Sequence, residues 1–90
     1  MYRIEISPSA GRDLDKLKGR INRRDFEQLR ESLNGLAQQP HPQGVRKIKG
    51  LEDAYRIRVG SFRIVYDIYD DVLLILILQV SRRNEATYRR

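Results

Sequence analysis

From Ala54 to Tyr66 the chain reads AYRIRV, Gly60-Ser61, FRIVY, with apolar and basic residues alternating on both sides of the glycine. Alternation with a period of two is the pattern of a strand with one buried face. A two-residue gap led by glycine suits a tight hairpin turn. Together they set a register. Val59 pairs with Phe62, Arg58 with Arg63, Ile57 with Ile64, Arg56 with Val65 and Tyr55 with Tyr66. Tyr55, Ile57, Val59, Phe62, Ile64 and Tyr66 then share the core face, and Arg56, Arg58 and Arg63 share the other.

This register puts Arg58 directly across from Arg63. Opposed side chains on a sheet have Cβ atoms about 5 Å apart, and like charges there repel unless a counter-ion lies between them. A phosphate would fill that role, because the guanidinium fork matches its geometry. The bland reading of the same row is solvated surface that guards a sheet edge, or arginines neutralised by Glu52, Asp53 or Asp67. Val65 also falls on the arginine face, which is therefore not purely polar.

The rest of the chain supplies layers for the hairpin. Tyr2–Ile6 alternates as a half-buried strand. Ser7-Pro8 reads as an N-cap with proline in the first helical position. Ala10, Leu14, Leu17 and Ile21 form one helical stripe, which Gly19 ends. Asn22 caps a second helix with the stripe Phe26, Leu29, Leu33 and Leu36. QQPHPQG from Gln38 to Gly44 is a loop. Val45–Ile48 reads as a short strand, Asp70-Asp71 as a reversal, and Val72–Val80 as a central strand apolar on both faces. The expectation is an α+β fold in a single domain over residues 1–90. It has an N-terminal strand, a two-helix hairpin and a three- to four-stranded, largely antiparallel sheet.

Charge narrows the partner. The net charge is +6 and the pI about 10.1, which favours an anionic ligand. Lys16, Lys18, Lys47 and Lys49 are the only lysines, so arginine dominates the 18 basic residues. The last ten residues, SRRNEATYRR, add Arg82, Arg83, Arg89 and Arg90 around Tyr88. Tyr88 packs on a neighbour or stacks on a base. With no cysteine, disulfides and thiolate metal sites are excluded, which fits a reducing cytosol. The N-terminus does not read as a signal peptide, and no apolar run approaches the roughly 20 residues of a membrane span. His41 is the single histidine, so a two-histidine nuclease is excluded; between two prolines, it reads as a solvated loop residue. Asp70-Asp71 reads as turn chemistry rather than a metal site, and there is no Gly-rich phosphate loop.

Gly50, Tyr55, Arg56, Ile57, Arg58, Phe62, Arg63, Ile64, Val65 and Tyr66, followed by an apolar strand and a basic tail that carries a tyrosine, resemble the signature of the RelE/ParE superfamily of toxins from toxin–antitoxin pairs. The resemblance covers essentially the whole chain. It implies a RelE-like fold and a RelB-like antitoxin partner that wraps the toxin. RelE-like members cut mRNA in the ribosomal A site; ParE-like members poison DNA gyrase and lack the nuclease residues. The tail favours the RelE-like side.

That side implies a metal-independent, cofactor-free endoribonuclease acting with the ribosome in the cytoplasm, away from membranes. Arg58, Arg63, Arg83 and Tyr88 match its catalytic positions; Lys47, Lys49, Arg56 and Arg82 are the RNA- and ribosome-binding candidates. Arg56 and Arg58 stand where RelE has lysines. Arginine stays protonated at physiological pH, so both act as clamps rather than proton shuttles. Strict alternation along the last strand places Arg82, not Arg83, on the arginine face; a bulge after Val80 would reverse that. A gyrase inhibitor and a non-catalytic basic RNA-binding module are the alternatives.

Overall fold

The computed structural model describes residues 1–82. Its elements are β1 (Arg3–Ile6), α1 (Pro8–Lys18), α2 (Arg23–Gly35), β2 (Arg46–Lys47), β3 (Ala54–Val59), β4 (Phe62–Tyr69) and β5 (Leu74–Arg82). Both helices begin where side-chain oxygens meet their free amides. Ser7 Oγ accepts from the Ala10 amide at 3.1 Å, and Asn22 Oδ1 from the Asp25 amide at 2.8 Å. Pro8 fills the first helical position, where its missing N–H costs nothing.

The strands form one five-stranded sheet in the order β1-β5-β4-β3-β2. It is mixed rather than wholly antiparallel: β1 runs parallel to β5, with Ile4 beside Ile75 and Ile6 beside Ile77. A parallel neighbour needs a long crossover, and the α1–α2 hairpin with β2 to β4 supplies it. β2 is shorter than the Val45–Ile48 expectation, with only Arg46 and Lys47 in the sheet. β5 runs later than Val72–Val80, because Asp70–Leu73 is spent on the turn. There Leu73 holds a left-handed φ of 52°.

The β3–β4 register is the one read from the sequence, from Val59 opposite Phe62 to Tyr55 opposite Tyr66. Gly60 leads the turn with φ 58°, which suits glycine best. The core lies between one sheet face and the helices. Ala10, Leu29, Leu33 and Leu36 close on Val59, Phe62, Ile64, Tyr66, Ile68, Ile75, Ile77 and Val80. Leu14, Leu17, Ile21 and Ile57 pack at its margin. Phe26 is only half-buried and lines a surface groove with Ile21, so its stripe is less complete than the pattern predicts.

Two polar contacts pin the periphery. The buried Tyr66 hydroxyl donates to the Pro40 carbonyl at 2.9 Å and fixes the Gln38–Gly44 loop over the sheet. Burial, then the neighbouring Tyr55, pushes the Tyr66 phenol well above its ordinary value. Tyr2 donates to the Asp70 carboxylate, linking β1 to the β4–β5 turn and raising the Tyr2 phenol.

Candidate nucleic-acid interface

The sheet face away from the helices carries the arginines. β3 contributes exposed Arg56 and Arg58, and β4 contributes half-buried Arg63. Arg58 lies opposite Arg63, as the sequence register requires. The row is longer than predicted. Arg46 on β2 lies opposite Arg56, so two like-charged pairs sit side by side across β2, β3 and β4. Gln43, Gly44, Arg46, Arg56, Ile57 and Arg58 line a surface cleft of about 300 Å³ at this edge.

Among the described residues no ion pair involves the row. Among the described residues the ion pairs are Arg3–Glu5 and Arg30–Glu27, both far along the chain from it. Glu52 and Asp53 are exposed at the turn entering β3 and bridge to none of these arginines. Asp67 on the same face is buried at 2% exposure, and its carboxylate accepts from the Tyr69 hydroxyl at 2.8 Å. Among the described residues, then, neither Glu52 nor Asp53 forms an ion pair with Arg46, Arg56, Arg58 or Arg63. Unscreened pairs at this spacing attract an anion that fits between them.

The floor of the face explains Val65. It is 1% exposed, flanked by Arg56 on β3 and Gln79 on β5. An apolar floor beside cationic side chains lowers the local dielectric. Beside it, Arg63 Nε, Gln79 Oε1 and Ser81 Oγ are buried atoms with no hydrogen-bond partner among the described residues.

Other candidates fall elsewhere. Lys47 pairs with Tyr55, so it belongs to the opposite face from Arg56. A strand reading that ignored β2–β3 register could not separate Lys47 from Arg46. Lys49 is exposed in the turn after β2. Arg82 does not join the arginine face. It pairs with Phe62, and its guanidinium sits 5.4 Å from the centre of that ring. The cause is a bulge in β5. Val65 faces Gln79 while Tyr66 faces Ile77, leaving Leu78 as an extra residue. The bulge lies before Val80, not after it, and reverses the phase of everything beyond. Arg83 and Tyr88 lie outside the described residues.

Arg46 was legible only as one of two neighbouring basic residues; Gln79 and Ser81 carried no signal, because the bulge that turns them to this face is not written in the local pattern. His41 is exposed and meets Tyr55 edge-to-face at 5.1 Å. Among the described residues no three His, Asp or Glu side chains converge as metal ligands, and no helix is long and apolar enough to cross a membrane.

A family model for the ParE toxin of the type II toxin–antitoxin system matches residues 4–87. The chain belongs to the RelE/ParE toxin family. A toxin RelE from Mycobacterium tuberculosis is 32% identical over 88 residues, covering 98% of this chain and 87% of that protein. A putative toxin RelE1 from Methanocaldococcus jannaschii is 31% identical over 85 residues, covering 94% and 93%. The crystal structure of the archaeal RelE–RelB complex from Pyrococcus horikoshii superimposes with a TM-score of 0.77 at 26% identity, over 94% of this chain and 98% of that one. The α+β architecture of this RelE/ParE toxin is thus the one its relatives share.

Proposed function

We propose that this toxin is a ribosome-dependent, metal-independent mRNA endonuclease. The observation that carries the reading is the opposed pair Arg58–Arg63, extended by Arg46–Arg56 and left without a neutralising acid among the described residues. In the proposed reaction the ribose 2′-hydroxyl attacks the adjacent phosphorus. The 5′-oxygen leaves, and negative charge accumulates on the phosphate oxygens. Preorganised cations placed where charge develops supply the largest share of catalysis in such a reaction. Arg58 and Arg63 take that position in our reading, and Arg46, Arg56 and Lys49 hold flanking phosphates or ribosomal RNA.

Arg83 and Tyr88 complete the proposal from the sequence resemblance. Tyr88 orients or deprotonates the 2′-hydroxyl, or stacks on a base. Arg83 stabilises the phosphate or assists the leaving oxygen. Action on translating ribosomes places the toxin in the cytoplasm. Its partner is a RelB-like antitoxin, as in the archaeal complex, and an acidic segment of that partner complements the arginine row.

A second reading is favoured by the name of the matching family model, ParE: inhibition of DNA gyrase. Expression in a bacterial host separates the two. Loss of full-length mRNA with intact chromosomal DNA, abolished by Arg63→Ala, supports the endonuclease. Growth arrest with DNA damage and intact mRNA supports the gyrase poison and rejects our reading.

A further inference from the structure

We propose that Asp13, assisted by Ser7, is a positioning residue for the basic site: it holds the β5 bulge that turns Ser81 toward Arg63 and Arg82 away from it. The claim for catalysis rests on the proposed endonuclease function; the claim for geometry does not.

A bulge disrupts its ladder and leaves backbone groups to be satisfied by something else. The α1 end of the fold takes up these groups one by one. β1 ends at Ile6, opposite Ile77, so among the described residues β5 has no strand neighbour on that side beyond this point. The Ser7 amide donates to the Ile77 carbonyl at 3.0 Å. The Ser7 hydroxyl donates to the Leu78 carbonyl at 3.4 Å while the same oxygen caps α1 through the Ala10 amide. Asp13 Oδ2 then accepts the Val80 amide at 2.9 Å. The cap of the first helix and the irregularity in the last strand are therefore one hydrogen-bonded unit, joining residues 67 apart in sequence.

The phase of the strand is what this unit controls. Ile75 and Ile77 face the core. With a period of two and no bulge, Gln79 and Ser81 would follow them inward, and Val80 and Arg82 would face the arginines. The extra residue at Leu78 reverses the order. Val80 is buried at 2% exposure, Gln79 pairs beside Val65, and Ser81 pairs with Arg63. Arg82 goes to the Phe62 ring instead. Asp13 lies in a cleft with Lys16, Arg20, Ser81 and Arg82, so its charge must be separated from its geometry in any test.

Asp13→Asn keeps an oxygen for the Val80 amide and removes the charge; Asp13→Ala removes both. In the full chain, Asp13→Ala is expected to speed Val80 amide exchange about tenfold, the change one hydrogen bond is worth. It should also weaken the Arg63–Ser81 cross-strand contacts seen by nuclear Overhauser effects and lower ribosome-dependent mRNA cleavage with antitoxin binding retained. Asp13→Asn should resemble wild type in all of these. Deleting Leu78 removes the extra residue while keeping Gln79 opposite Val65, so in that background Asp13→Ala should change neither the contacts nor cleavage. That double variant also serves if Asp13→Ala alone does not fold. Unchanged Arg63–Ser81 contacts in Asp13→Ala, or equal loss in the Asn and Ala variants, would overturn the proposal. If wild type cleaves no mRNA, the function fails, and the exchange and contact measurements still decide the positioning.

Discussion

Arg63 is the residue on which the basic face turns. It lies opposite Arg58 on one side and Ser81 on the other, half-buried, with Nε making no hydrogen bond among the described residues. Arg63→Ala should cut mRNA cleavage by at least about a hundredfold, the loss seen on removing one preorganised donor from a developing charge. Its melting temperature should stay within a few degrees of wild type, because truncation relieves a like-charge contact. A cleavage assay beside a thermal melt checks both. Tyr66 makes a prediction about pH. Its folded-state phenol is raised, so stability is complete below the unfolded value of about 10 and declines as pH rises past it. Tyr66→Phe should lose about 1 kcal/mol at neutral pH through the orphaned Pro40 carbonyl. It should also flatten the alkaline decline, as denaturation from pH 8 to 11 would reveal. Leu73 holds φ 52° on an exposed turn. Leu73→Asn should raise stability by about 0.5 kcal/mol, since asparagine tolerates that conformation better.

At the scale of elements, the hairpin was legible because two constraints agreed. The Ala54–Tyr66 alternation set the faces, and Gly60-Ser61 set the register, so Arg58 and Arg63 could be paired from sequence. The helix starts were legible too, since Ser7-Pro8 and Asn22 are local capping chemistry that needs no tertiary partner. β5 was not. Val72–Val80 is apolar on both faces, so no alternation marks where the phase slips. The bulge is stabilised by Ser7 and Asp13, more than sixty residues earlier, and local patterns cannot report such a contact. This is why Arg82 was placed on the wrong face. The parallel pairing of β1 was hidden for the same reason: four residues alternate alike in either direction. Arg46 became part of the site only through the two-residue pairing of β2 with β3.

Across the whole molecule, the fold separates two jobs. One sheet face is committed to the helices and the core, and the other carries Arg46, Arg56, Arg58 and Arg63 beside the buried Val65 and Asp67. The +6 net charge of the chain is then partly gathered into one row across three strands. Single-stranded RNA binding should accordingly weaken with salt. If Arg46, Arg56, Arg58 and Arg63 each neutralise one phosphate, log affinity against log salt should have a slope of roughly −3, and Arg46→Ala should make it shallower by about 0.7. Filter binding across a salt series measures both. Gyrase inhibition would need no such RNA slope. The central claim is cleavage on the ribosome, and primer extension on mRNA incubated with purified toxin and translating ribosomes tests it most directly. The account predicts new 5′ ends within codons at the A site, dependent on ribosomes and absent with Arg63→Ala. Unbroken mRNA in the presence of wild-type toxin and translating ribosomes would contradict it.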